Sequence, residues 1–153
     1  VEPPIERPRP LDPSLRVALV HDDLTQRGGA ERVVLALSRM FPGAPLYTTV
    51  YDPEGTYAEF GDLDVRTTPL QRAPHRGNAA RALLPLYPWA IGRIRLEGYD
   101  LVVSSSSRFA HGVAAGRAAH VCYCHNPPRW LYQADEYLRD GGPVPRSAPP
   151  AER

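Results

Sequence analysis

The chain has 153 residues, the size of one ordinary domain. Its 42% hydrophobic and 23% charged residues exclude a disordered composition, and a net charge of +1 gives no reason to expect a nucleic-acid partner. No apolar run reaches the ~20 residues that span a bilayer, and two cysteines are too few for a secreted disulfide scaffold.

The first ten residues, VEPPIERPRP, carry acids and prolines and lack the apolar centre of a signal peptide. Residues 1–15 are therefore expected to form a flexible leader, and the protein to be cytoplasmic. All 18 basic residues are arginine, which with the many Ala, Gly and Pro suggests a GC-rich bacterial source. Residues 16–20, RVALV, form a short apolar run that predicts a buried parallel strand. Gly28 and Gly29 then open AERVVLALSRMF. There Val33, Val34, Leu37, Met40 and Phe41 recur at helical spacing until Pro42 and Gly43 stop the run. Residues 45–51, PLYTTVY, predict the second strand, closed by Asp52 and Pro53. A short helix is expected over 54–60 and a third strand over 64–68. Residues 72–96 are expected to be mostly helical, broken at Pro85 and Pro88. Residues 99–106, YDLVVSSS, predict the fourth strand, followed by a short helix near 109–115. Residues 120–125, HVCYCH, predict the fifth, and 129–139 a last helix. The Pro- and Gly-rich residues 140–153 are expected to be a flexible tail or linker. Strands alternating with helices predict an α/β fold with a doubly wound parallel sheet and right-handed crossovers.

In such sheets ligands bind beyond the carboxyl ends of the strands, where the strand order reverses. His21, Asp22 and Asp23 follow the first strand, Asp52 the second, residues 104–107 the fourth, and His125, Asn126 and Arg129 the fifth. Polar and ionisable residues thus gather on one edge. Gly28 and Gly29 stand at a helix start, where exposed N–H groups and the helix dipole favour an anion such as phosphate. The alternative is a loop that merely needs positive φ. The serines at 104–107 either offer hydroxyls to a ligand or cap a helix, and capping is favoured for at least one. No G-x-S-x-G elbow is present, so no catalytic serine is expected.

Cys122 and Cys124 lie two apart on a strand and so face one side. That spacing suits neither a relaxed disulfide nor the usual zinc pair, so two core thiols are expected. A metal held with His111, His120 or His125 is the disfavoured alternative. Residues 72–96 hold five arginines and no acid, interleaved with apolar and aromatic side chains. Such a face either rests on an anionic membrane or packs on the sheet with arginines at its rim, and the prolines favour packing.

The motifs GGAERV (28–33), YDLVVSSSS (99–107) and CYCHNPPRWLY (122–132), in that order after a first strand, resemble the N-terminal half of a family-4 glycosyltransferase. The resemblance runs over about 16–139. It implies a GT-B architecture, in which two Rossmann-like domains face each other across a cleft. It implies transfer of a sugar from a nucleotide-diphosphate sugar to a glycan or lipid acceptor, with retention and without a catalytic metal or other cofactor. This half would mainly bind the acceptor. The turn at Gly28 and Gly29 would reach the donor's diphosphate. His125 would lie near the transferred sugar, where a hydrogen-bonding group meets developing charge. Arg129, after Pro127 and Pro128, would meet a phosphate or carboxylate of the acceptor. Asp22 and Ser105 are candidate substrate contacts, and Glu31 closes the cleft or caps the helix. With a lipid-linked acceptor, residues 72–96 would touch the inner face of the membrane peripherally.

The family's C-terminal nucleotide domain and its E-x7-E motif have no counterpart in these residues. The chain is therefore expected to be a fragment of a longer enzyme, a subunit completed by a partner, or a remnant, with little activity alone. Two other readings stay open. Asp52 stands where a ribose-binding acid of an NAD-dependent oxidoreductase belongs, although HDDLTQRGGAE lacks G-x-G-x-x-G. An open sheet edge with an apolar helix would equally suit a non-catalytic interaction module.

Overall fold

In a computed structural model, which describes residues 12, 14–74 and 83–125, five strands form one sheet. They are β1 (Val17–His21), β2 (Leu46–Thr48), β3 (Val65–Thr67), β4 (Leu101–Ser106) and β5 (Ala119–Cys124). All pairs are parallel and the order is β3-β2-β1-β4-β5. β1 reads as an unbroken apolar run because it is central, flanked by β2 and β4 and buried along all five residues.

The first two connections step toward one edge of the sheet, and the chain then crosses back to build the other. With right-handed crossovers, that reversal sends the earlier connections to one face and the later ones to the opposite face. The packing follows this rule. Helix α1 (Gly29–Met40) lays Val34 and Leu35 with Phe60 against Val17, Leu19, Leu46 and Val103. On the other face, Ile91 of helix α2 (Tyr87–Gly92), with Ile94, Leu96, Ala110 and Val113, covers Ala18, Val20 and Val102. Full burial of each such aliphatic side chain contributes roughly 1.5–3 kcal/mol. Gly43, at φ 79°, turns the chain after α1 in a conformation that L side chains rarely adopt. The Phe41 amide closes the last turn onto the Leu37 carbonyl at 2.9 Å.

Several elements are shorter than their sequence patterns suggest. The helix expected over 54–60 is a 3-10 turn at Ala58–Asp62, and the one near 109–115 a single turn at Ala110–Gly112. β2 keeps three residues, extended by an isolated bridge from Leu24 to Tyr51. The interruption expected at Pro85 and Pro88 is present: Pro85 lies in a 3-10 turn at Leu84–Leu86, and Pro88 sits in the first turn of α2, where its missing N–H has no intrahelical partner to lose. Tyr87, Ala90 and Ile91 of α2 pack inward, while Trp89 is 52% exposed. Among the described residues no helix is long and apolar enough to cross a membrane.

β5 departs most from expectation. All six of its residues are exposed, and Cys122 and Cys124 are free and exposed rather than core thiols. The cause is position: among the described residues β5 pairs with β4 alone and stands at the end of the sheet. The helix expected over 129–139, Arg129 and the tail from 140 lie outside the described residues.

Candidate functional site

Parallel register brings the carboxyl ends of three strands level. His21 aligns with Thr48 on one side and Ser105 on the other, and Ser105 aligns with Tyr123. Strand alternation turns these four residues toward the face that carries α1. The row lies where the strand order reverses, between β1 and β4.

His21 is 2% exposed. Its Nδ1–H donates to the Ser105 carbonyl at 2.9 Å. Its Nε2 faces Glu31 Oε1 at 3.9 Å. Burial lowers the affinity of the ring for a proton. Glu31, Asp22, the Ser105 carbonyl and Asp23 outweigh that cost, so its pKa lies above the ordinary imidazole value. Glu31, equally buried, is pushed up by burial but held below its ordinary value by His21 and by the amide of its own residue. His21 and Glu31 therefore stand as a buried pair whose surroundings favour the ionic form.

Glu31 also defines the glycine turn. The Gly28 amide donates to Glu31 Oε2 at 3.0 Å, which makes Glu31 the cap of α1. Gly28 itself has φ −110°, so positive φ is not the reason for glycine. The reason is crowding, since a Cβ there would stand 2.6 Å from Glu31 Oε2. The Gly28 amide is thus already taken. Gly29 differs: nothing lies within 4 Å of the position its Cβ would occupy. The first-turn amides of Gly29 and Ala30 have no acceptor among the described residues and stand at a helix N-terminus, where Gly29 is exposed and Ala30 half-buried.

Asp22 does not project into open space. Its carboxylate is 1% exposed and accepts four backbone amides: Ser107 at 2.6 Å, Arg108 at 2.9 Å, Phe109 at 2.7 Å and Ala110 at 2.7 Å. It anchors the turn after β4, and it performs the capping expected of a serine. Asp23 accepts from Thr25 Oγ1 at 2.7 Å and pairs with the Arg108 guanidinium, which lies 6.0 Å from the centre of the Tyr87 ring. Arg108 escapes sequence reasoning because its partner stands 85 residues earlier.

Three consecutive serines of β4 each meet a histidine. Ser104 Oγ lies 2.8 Å from His120 Nε2, Ser105 Oγ 2.7 Å from His125 Nε2, and Ser106 Oγ 3.1 Å from His111 Nδ1. The serines are buried, so their hydroxyls hold side chains rather than face solvent. His125 follows β5 directly. Its amide bonds the Ser106 carbonyl at 3.0 Å and its ring lies 4.9 Å from that of Tyr123. Burial and the charge on His21 lower its pKa, against smaller opposing effects of Asp22 and Glu31, so the ring is neutral at pH 7. Ser105 engages Nε2, and Nδ1 has no hydrogen-bond partner among the described residues. Sequence position alone separates these histidines from their serines by up to 20 residues, and only the β4–β5 register joins them.

Among the described residues no group of three His, Cys, Asp or Glu is arranged to hold a metal ion. Of the residues singled out from sequence, His125, Ser105, Asp22 and the glycine pair meet at one edge, while Arg129 lies outside the described residues. The sequence puts His21 at the edge after the first strand and Glu31 within GGAERV, but it cannot pair them.

No curated protein and no solved structure matches the chain. The family model for Glycosyltransferase Family 4 matches residues 27–147. That span takes in the glycine turn, α1, all of β2 to β5 and His125. With the five-stranded parallel sheet, it identifies the N-terminal, Rossmann-like half of a GT-B fold. The chain belongs to glycosyltransferase family 4.

Proposed function

We propose that this chain forms the acceptor-side wall of a sugar-transfer cleft, completed by a nucleotide-binding half, in which a hexose passes from a nucleotide-diphosphate sugar to a glycan or lipid-linked acceptor with retention. One observation carries the reading. The unpaired first-turn amides of Gly29 and Ala30 and the ring of His125 share one edge, joined through His21 and Ser105.

As the bond from sugar to diphosphate lengthens, negative charge grows on the leaving phosphate and positive charge on the sugar ring. Amides at the N-terminus of α1 favour the first. Because Glu31 occupies the Gly28 amide, Gly29 and Ala30 do this work. A neutral His125, with Nε2 held by Ser105, offers Nδ1 to a sugar hydroxyl. Asp22 keeps the turn after β4 in place beside them. Arg129 is assigned to an acidic group of the acceptor. Leu86 and Trp89 are exposed, and the Arg93 guanidinium lies 4.9 Å from the Trp89 ring centre. This supports an acceptor met at an anionic lipid surface.

The test joins the chain to the nucleotide-binding half of a GT-B enzyme and measures sugar transfer. His125→Ala and Gly28→Val are each expected to reduce it, by roughly 100-fold where a transition-state hydrogen bond is lost. Unchanged rates would remove these residues from the site. Flotation with anionic vesicles tests the lipid surface, and no binding at low salt would discard it.

A further inference from the structure

The ring of His21 has acceptors on both sides. Nδ1 faces a backbone carbonyl and Nε2 a carboxylate, and neither can donate a hydrogen. A neutral imidazole would spend its one hydrogen on the Ser105 carbonyl and turn the Nε2 lone pair toward the Glu31 carboxylate 3.9 Å away. The arrangement therefore favours hydrogen on both nitrogens, as an ionic contact with Glu31. Without this partner a buried Glu31 would keep the Gly28 amide and its own amide but lose the positive charge beside it, directly beneath the glycine turn. It would also repel any anion approaching the Gly29 and Ala30 amides. The same imidazole holds Ser105 by its carbonyl, and the Ser105 hydroxyl holds His125. One side chain therefore touches both halves of the proposed transfer edge.

We propose that His21 is the positioning residue of this edge: its ring balances Glu31 beneath the glycine turn and grips Ser105, so that the turn and His125 keep a fixed relation. The proposal rests on the reading of the glycine turn and His125 as the transfer site, and it adds what holds them together. The charged and titratable groups that bear on the ring are Glu31 from α1, Asp22 and Asp23 after β1, and His125 after β5. Asp22 has its four amide donors and Asp23 has Arg108, whereas the positive charge that acts on Glu31 is His21.

The link is readable in the 153-residue chain without any enzyme assay. Nitrogen-detected spectra of the histidine rings give each tautomer and protonation state against pH. In the wild type, His21 is expected to carry hydrogen on both nitrogens at pH 7 and to lose one only above the ordinary imidazole range. His125 is expected to be neutral. In His21→Gln, the titration of His125 should move up, because a neighbouring positive charge has gone. In Ser105→Ala, the Nε2 resonance of His125 should lose its hydrogen-bonded position while His21 still titrates high. A neutral His21 in the wild type at pH 7 would overturn the proposal, and so would a His125 titration indifferent to His21→Gln in a folded variant. The wild-type spectrum decides the matter even if His21→Gln fails to fold.

Inorganic pyrophosphate separates this proposal from the reading beneath it. Shifts of the Gly29 and Ala30 amides in the wild type, weakened at least several-fold in His21→Gln, support both. Equal binding by the two proteins overturns the role of His21. Binding by neither removes the phosphate reading of the turn and leaves the histidine titrations to decide on His21.

Discussion

Replacing Asp22 by Ala tests whether this acid serves the fold or a ligand. Its carboxylate accepts four amides, from Ser107 to Ala110, at 2.6–2.9 Å. A hydrogen bond to a charged acceptor contributes about 1.5–3 kcal/mol net, so a plain sum reaches roughly 6–12 kcal/mol. The sum overstates the effect. Ser107, Arg108 and Phe109 are only partly buried, and water can reach their amides once the turn relaxes. Ala110 is 0% exposed, and its amide would be orphaned. A loss of about 3–5 kcal/mol is the reasoned value, a large share of the roughly 5–15 kcal/mol of a typical domain. Asp22→Asn keeps one accepting oxygen and turns an NH2 toward the other two donors, so about half that loss is expected. Urea unfolding followed by far-ultraviolet circular dichroism measures both variants, provided the slope of free energy with urea stays unchanged. A loss under about 1 kcal/mol for Asp22→Ala would refute the anchoring role. Asp22 would then return to the status of a ligand contact, which predicts impaired binding at undiminished stability.

Gly28→Ala should destabilise by about 1–3 kcal/mol through its clash with Glu31 Oε2, and most of that loss should vanish in a Glu31→Ala background. Additive losses in the double variant would show that the two residues do not meet. The His21–Glu31 pair should also leave a signature in stability against pH. His21, with its pKa raised, contributes fully below its unfolded value of 6.5 and loses the contribution as pH rises through the folded value. Glu31, with its pKa lowered, contributes above 4.5 and loses it as pH falls through the folded value. Stability from the pair is therefore whole between pH 4.5 and 6.5, and Glu31→Gln should flatten the profile at both flanks. An identical profile would refute the pairing. Cys122 and Cys124 should both react with a maleimide under native conditions at the rate of a freely accessible thiol, because both are exposed. Reaction only after denaturation would restore them to the core.

What was legible in the sequence was what depends on neighbours along the chain. RVALV announces a strand buried on both faces, and AERVVLALSRMF shows its amphipathic period with Pro42 and Gly43 as a stop. The alternation of such segments is enough for a doubly wound parallel sheet, and the carboxyl-edge rule then puts His125 and the glycine turn on the side where ligands bind. What the tertiary structure decided was everything that depends on register and on which strand stands at the edge. HVCYCH has the composition of a core strand, yet among the described residues β5 has a neighbour on one side only and stands exposed. Gly28 looks like a phosphate contact, yet its amide belongs to Glu31. Asp22 looks like a ligand acid, yet it holds the turn after β4, more than 80 residues away in the chain. His21 and Glu31 become a pair only because α1 crosses the end of β1 at one height. Local periodicity follows from the geometry of a single helix or strand. Partners across a sheet follow from packing the whole chain at once, and no stretch of sequence carries that by itself.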